Sequence, residues 1–246
     1  MGRLDLLKVS LRLLFIQAVL NRRGMQNLGL VSALTQAGGN LLGKDGGALL
    51  ARHVDYFNSN PNLVPLIVGA VLRLEEERLD GKPVDGKDIA YFKNAVASPF
   101  AAMGDLALLG GLRPLSLTLA CVLAIYNSPI GLLAVFLLYN LTIIACRFWG
   151  LHFGYANGRE LVEAFSGPRF PRVLGVIHGI GASVGGMLAG TVFLRFLESG
   201  PWTAVFAGAL AAMTFYLLKR HIPASWVAGA LFPVCALLAL LLSGTD

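Results

Sequence analysis

Asp105 and Arg113 are the only formally charged residues in the stretch 94–146. Both lie in the segment ASPFAAMGDLALLGGLRP (97–114), eight residues or about two helical turns apart. A carboxylate placed there can hydrogen-bond a polar solute, or cap a half-helix that starts just after it. A guanidinium can anchor the segment by reaching for the membrane interface. Ser98, Pro99 and Gly104 mark a break, because the residue before a proline is pushed out of helical geometry. Further along the same logic, LEEER (74–78) sets Glu75, Glu76 and Glu77 in a row. On a helix they fan over about 200°, so at most two face one way. Glu75 or Glu76 then faces a polar cavity or a partner, or the whole run caps a solvated end. Asn58 and Arg147 complete the candidates, Asn58 as a polar contact and Arg147 as an anchor.

The chemistry these residues do not offer is equally clear. His53, His152, His178 and His221 have no second ligand at metal spacing. Cys121, Cys146 and Cys235 each sit alone in apolar runs and read as core residues. No Ser/His/Asp set or phosphate loop is present, and GIGASVG (179–185) has the wrong spacing for a dinucleotide fingerprint. No catalytic residue, no metal and no cofactor are therefore expected. Gly181, Gly185, Gly186 and Gly190 instead form small-residue faces of the kind that pack helices closely.

These groups must be positioned by membrane helices. Hydrophobic residues make up 56% of the 246-residue chain and charged residues 14%, against about 25% charged in soluble domains. Mean hydropathy is +0.68. The net charge of +6 is dispersed without stacking aromatics, which excludes a nucleic-acid surface. Of the Asp, Glu, Lys and Arg residues, 21 fall within residues 1–93. The reading is an all-α, polytopic membrane protein with amphipathic N-terminal helices and broken or re-entrant helices. Residues 1–62 form an amphipathic helical region at the cytoplasmic membrane surface, and residues 63–246 are embedded.

In the first region, Leu4, Leu7, Leu11, Leu14 and Ala18 share one helical face and Asp5, Lys8 and Arg12 another, a pattern that lies on membrane lipid. ALLARHVDYFN (48–58) is expected to be a helix with Leu50, Val54 and Phe57 on one face, stopped by NSNPN. Broken helices follow over about 63–126, with half-helices meeting near Ser98–Gly104. The uncharged run 114–146 is too long for one span of about 30 Å, so it turns at YNSP (126–129). Spans are expected at about 129–146, 173–197, 201–218 and 225–243. Arg147, Arg159, Arg169 and Arg172 fall together in a basic loop, and Lys219–His221 in another. The positive-inside bias puts both in the cytoplasm and the C-terminus outside. Three functions remain open on the residues alone: a transporter subunit, a non-transporting scaffold, and an intramembrane enzyme using Asp105, His178 and Glu76.

Several strings resemble one family. RHVDYFNSNP (52–61), LEEER (74–78), SPFAAMGDLALLGGLRP (98–114) and RFWGLHFGYANG (147–158) occur in the same order in the IID membrane component of the mannose/fructose/sorbose class of the bacterial phosphoenolpyruvate-dependent sugar phosphotransferase system. NRRGMQNLG (21–29) and LLKRHIPASWVAG (217–229) add to the resemblance. It implies an inner-membrane subunit that pairs with a IIC subunit, in a trimer of IIC–IID pairs, to translocate a hexose. IIA and IIB phosphocarriers supply the phosphoryl group, so no phosphohistidine is expected in this chain. The alternative under the same resemblance is a regulatory scaffold that recruits the phosphocarriers. Arg23 and Gly24 stand where Glu and Arg are usual in the family.

Overall fold

The computed structural model of the chain describes residues 1–43, 46–165, 167–198 and 200, with scattered positions between 205 and 220. Apart from those positions, the spans expected at 201–218 and 225–243 lie outside the described residues. Two units, Met1–Gly185 and Gly186–Asp246, divide the chain, and the site described below is built within the first.

Among the described residues the order is helical throughout. It runs α1 (Arg3–Leu13), α2 (Asn27–Leu34), α3 (Gly39–Leu42), α4 (Gly46–Arg52), α5 (Val64–Leu79), α6 (Gly86–Gly104), α7 (Arg113–Ile125), α8 (Pro129–Asn157), α9 (Leu161–Phe165) and α10 (Arg169–Glu198). A π-helical segment, Asp105–Leu112, joins α6 to α7. A single 3₁₀ turn, Gly158–Glu160, joins α8 to α9.

The core is organised around α5. Its first half, VPLIVGAVL, is apolar on every side, and a helix of that kind must be surrounded. Accordingly every residue from Val64 to Leu72 is buried. α8, α6, α1 and α3 pack against it. The closest approach is to α8, where glycines face each other's backbone. A Cβ on Gly69 would lie 2.1 Å from the Leu151 carbonyl oxygen, and one on Gly154 2.0 Å from that of Leu66. Gly150 and Gly154 are thus the small-xxx-small pair that lets two helices touch. At the stripe expected to do this, a Cβ on Gly181 would lie 4.0 Å from the Leu115 side chain, and one on Gly185 would meet nothing within 4 Å among the described residues.

Among the described residues three helical stretches are long and apolar enough to cross a membrane: Gly86–Ile125, Pro129–Phe165 and Phe170–Val192. The chain turns between Tyr126 and Ser128, with Asn127 at φ +49°. However, the helix is not interrupted at Ser98, Pro99 or Gly104. α6 runs through Pro99, and the irregular hydrogen bonding comes after it, in the π-helical segment. A proline is tolerated inside such a helix where the helix packs against neighbours, and at this point the Ser59 hydroxyl reaches across to donate to the Ala97 carbonyl at 2.8 Å. Arg147 likewise lies inside α8, which continues to Asn157, so it does not share a loop with Arg159.

One amphipathic expectation changes in length, and the other is joined by a second apolar face. α1 buries Leu6, Val9 and Leu13, while Leu4, Leu7 and Leu11 remain exposed. The segment is apolar on both sides, and the core took the side not marked out by its charges. α4 ends at Arg52. Residues 54–60 are non-helical because their backbone is engaged elsewhere, as described next.

Candidate functional site

The segment RHVDYFNSNPN (52–62) is the point where the distant polar strings meet. Its backbone is fixed first. The Phe57 amide donates to the Gly24 carbonyl at 3.2 Å, and the Gln26 amide to the Phe57 carbonyl at 2.9 Å. The Gln26 side chain then clamps Ser59, donating to its carbonyl at 2.9 Å and accepting from its amide at 3.1 Å. Met25 sits at φ +55°, a left-handed conformation that costs a residue with a Cβ roughly 1 kcal/mol. Its own amide bond to the Asn21 carbonyl at 2.9 Å helps offset that.

From this fixed strand, side chains reach three helices. Arg52 and His53 turn toward α5. Arg52 grips Glu75 through Nη2 at 2.6 Å and Nε at 3.2 Å, and His53 Nε2 lies 3.1 Å from Glu75 Oε1. Glu75 and His53 are both fully buried. Burial pushes the Glu75 carboxyl up, but the bonds from His53 and Arg52 outweigh it and hold the carboxyl below its ordinary value. Burial, with the nearby Lys93 charge, outweighs the pull of Glu75 on His53 and keeps the imidazole below its ordinary value. A neutral ring that donates to Glu75 carries its proton on Nε2. Its Nδ1 is then a buried acceptor without a partner among the described residues, as Lys93 Nζ is a buried donor without one. Lys93 lies 5.8 Å from the Phe57 ring centroid.

Asn60 turns toward the π-helical segment. Its Nδ2 donates to Asp105 Oδ1 at 2.8 Å, and its Oδ1 accepts from the Asn62 amide at 3.0 Å. Gly104 is needed at this contact, since a Cβ there would meet Asn60 at 2.5 Å. Asn62 turns toward α8, where its Oδ1 accepts from Arg147 Nε at 2.9 Å. Arg147 Nη1 also donates to the Leu14 carbonyl at 3.3 Å. A continuous polar path thus runs from Asp105 through Asn60 and Asn62 to Arg147.

The structure separates the other candidates. Glu76 leaves Glu75 and faces α8, where it accepts from the Tyr155 hydroxyl and meets the Met1 amine. Glu77 pairs with Lys82 at 2.9 Å and Arg73 at 3.1 Å. Asn58 points outward and lines a cavity of about 420 Å³ with Tyr56, Asn94 and Ser98. Arg113 is exposed. His178 lines a different cavity with Gly111 and Pro114. No described contact joins Asp105, His178 and Glu76, so the intramembrane-enzyme reading lacks its constellation. Among the described residues no group of His, Cys, Asp and Glu could hold a metal ion.

The residues that sequence reasoning missed are Gln26, Ser59, Asn60 and Asn62. NSNPN was read as a helix stop. The available signal was three asparagines within five positions, directly before a wholly apolar helix. Side chains that must satisfy buried partners concentrate at such junctions.

This arrangement defines an all-helical membrane protein with an internal polar hub and no catalytic constellation among its described residues. Residues 1–198 match the family of the PTS system mannose/fructose/sorbose family IID component, and the chain belongs to that family. It is 32% identical over 166 residues to the PTS system mannose-specific EIID component of Escherichia coli (strain K12), covering 66% of this chain and 59% of that protein. It is 33% identical over 141 residues to the PTS system sorbose-specific EIID component of Lacticaseibacillus casei, covering 57% of this chain and 50% of that one. The matched regions therefore span less than two thirds of these curated relatives. Among solved structures, the fold resembles a chain of the mannose transporter ManYZ in complex with microcin E492. The TM-score is 0.60 at 23% identity, with 96% of this chain and 95% of that chain covered. A second membrane-protein structure matches with a TM-score of 0.75, also at 23% identity.

Proposed function

We propose that the chain is the IID subunit of a mannose-class permease. It pairs with a IIC subunit to form the translocation unit for a hexose, which the IIB phosphocarrier phosphorylates on the cytoplasmic side. The family match over residues 1–198 carries this reading. The site is compatible with it. The Asp105–Asn60 bond is made at an irregular segment of a stretch long enough to cross a membrane, and irregular backbone at membrane depth belongs where it is buried or lines a cavity. Asn58, Asn94 and Ser98 give one outer cavity a polar wall suited to hydroxyl groups or a partner's backbone.

The same reading extends to placement and assembly. Residues 1–62 lie at the cytoplasmic surface and residues 63–246 are embedded, although residues on both sides of position 62 share one core. The N-terminus is cytoplasmic, the C-terminus is outside, the membrane is the bacterial inner membrane, and the unit is a trimer of IIC–IID pairs. Glu75 acts as a buried polar contact, Asn58 as a cavity-facing one, and Glu76 and Asp105 as polar contacts from half-buried and exposed positions, with Arg113 and Arg147 as anchors.

The test is a mild-detergent pull-down of the tagged chain from its native membrane, followed by phosphoenolpyruvate-dependent uptake across a hexose panel. Recovery of an equimolar hydrophobic IIC-like subunit and uptake of one hexose are the expected results. Recovery without any membrane partner would overturn the permease and select the regulatory scaffold.

A further inference from the structure

α7 and α8 form a hairpin with an apolar outer surface. Leu117, Ile130, Leu133 and Phe136 on it are 57–81% exposed, a face that suits lipid and not water. Between the two helices lies a cavity of about 310 Å³, lined by Leu117, Ala120, Leu132 and Phe136 and edged by Arg113 and Tyr139. Two other polar neighbours return their donors to their own helices: Ser116 to the Leu112 carbonyl at 2.9 Å and Asn140 to the Phe136 carbonyl at 2.8 Å. Neither the Arg113 guanidinium nor the Tyr139 hydroxyl has a partner among the described residues. The preceding acid, Asp105, is bonded to Asn60.

We propose that this groove binds an anionic phospholipid, with its phosphate on Arg113 and Tyr139 and an acyl chain along Leu117, Ala120, Leu132 and Phe136. An exposed arginine within a membrane stretch is costly unless it finds an anion or water. The 13 residues of α7 set Arg113 about 20 Å along the helix from the hairpin turn. The hydrocarbon layer is about 30 Å thick, so a turn at one interface leaves the long Arg113 side chain to reach for the opposite headgroups. The groove needs a ligand with an anionic head and an apolar body. The bilayer supplies both in one molecule, at the face where these helices already expose their apolar side chains. This does not depend on whether the chain transports a sugar.

The full chain, purified in mild detergent with any subunits that stay bound, is titrated with phosphatidylglycerol or phosphatidylcholine. Bound lipids are counted by native mass spectrometry. The expected result is a preference for phosphatidylglycerol that falls about fivefold in Arg113→Gln, the contribution of one basic residue at an anionic surface, and is unchanged in Arg159→Gln. Ala120→Phe, which fills the groove, lowers binding of both lipids. A photo-reactive side chain at Leu132 in the otherwise unaltered protein should cross-link to lipid, which keeps the test open if a variant fails to fold. Equal binding of the two lipids, an undiminished preference in Arg113→Gln, or cross-linking to a co-purifying protein would each overturn the proposal, the last by making the occupant a subunit.

Discussion

Asn60 donates its side-chain amide to Asp105 across 45 residues of sequence, at 2.8 Å. The bond ties the buried end of an irregular segment to the first residue of the π-helical segment between α6 and α7. A π segment holds its backbone less regularly than an α-helix and recurs at functional positions. The contact therefore places the lone acid of residues 94–146 where a change in helix geometry would be felt.

Asp105→Ala is expected to abolish uptake while leaving membrane insertion intact. Asn60→Ala should act through the same contact. A double-mutant cycle read by thermal unfolding in detergent should give a coupling of about 1 kcal/mol, below the usual range for a hydrogen bond to a charged group because Asp105 is exposed. Near-normal uptake by Asp105→Ala would remove this residue from the mechanism.

Glu75 is surrounded by Arg52 and His53 and has no exposed surface. Removing one member leaves buried charge or donors uncompensated. Glu75→Ala should cost about 3 kcal/mol, the size seen when a buried pair is broken from one side. Glu77→Ala on the same helix, whose partners Lys82 and Arg73 are 51% and 40% exposed, should cost well under about 1 kcal/mol. Detergent-solubilised melting curves of the two variants separate these outcomes.

The same cluster predicts sensitivity to acid. His53 is held below its ordinary value of 6.5, and Glu75 below 4.5. In both cases the unfolded chain binds more protons than the folded one between the two values, so stability falls as pH falls. The His53 contribution is complete above about pH 6.5 and is lost on the way down to the lower folded value, and that of Glu75 follows below about pH 4.5. His53→Gln should remove the first stage and leave the second. Melting temperature measured across that range would show two stages in the parent protein and one in the variant.

Helix contact between α5 and α8 depends on glycine in a directly testable way. Gly69→Ala and Gly154→Ala each put a Cβ about 2 Å from a backbone oxygen and should cost 3 kcal/mol or more, roughly the upper end for overpacking. Gly175→Ala is also helical, but its Cβ meets nothing within 4 Å among the described residues. It should stabilise by about 0.5–1 kcal/mol through helix propensity alone. Equal melting temperatures for Gly69→Ala and the parent would contradict the close approach.

Sequence alone determined whatever depends on composition and local pattern. The low charge and long apolar runs required helices that can cross a membrane, since no other open structure satisfies its backbone in lipid. The YNSP turn was legible for the same local reason. Tertiary structure decided what depends on which surfaces meet. It buried the Leu6–Val9–Leu13 face of α1 in the core and left the Leu4–Leu7–Leu11 face exposed, because α1 is apolar on both. It carried the helix through Ser98–Gly104 and placed the irregular hydrogen bonding in the π segment that follows, where Asn60 contacts Asp105 from outside the helix. It assigned Glu75 to Arg52 and His53 and Glu76 to Tyr155, since only the positions of α4 and α8 can say where each direction of the fan leads. Hydrogen bonds between residues 45 or 85 positions apart leave no periodic trace in a chain, so Asn60 and Asn62 became visible as a hub only when the helices they join were in place.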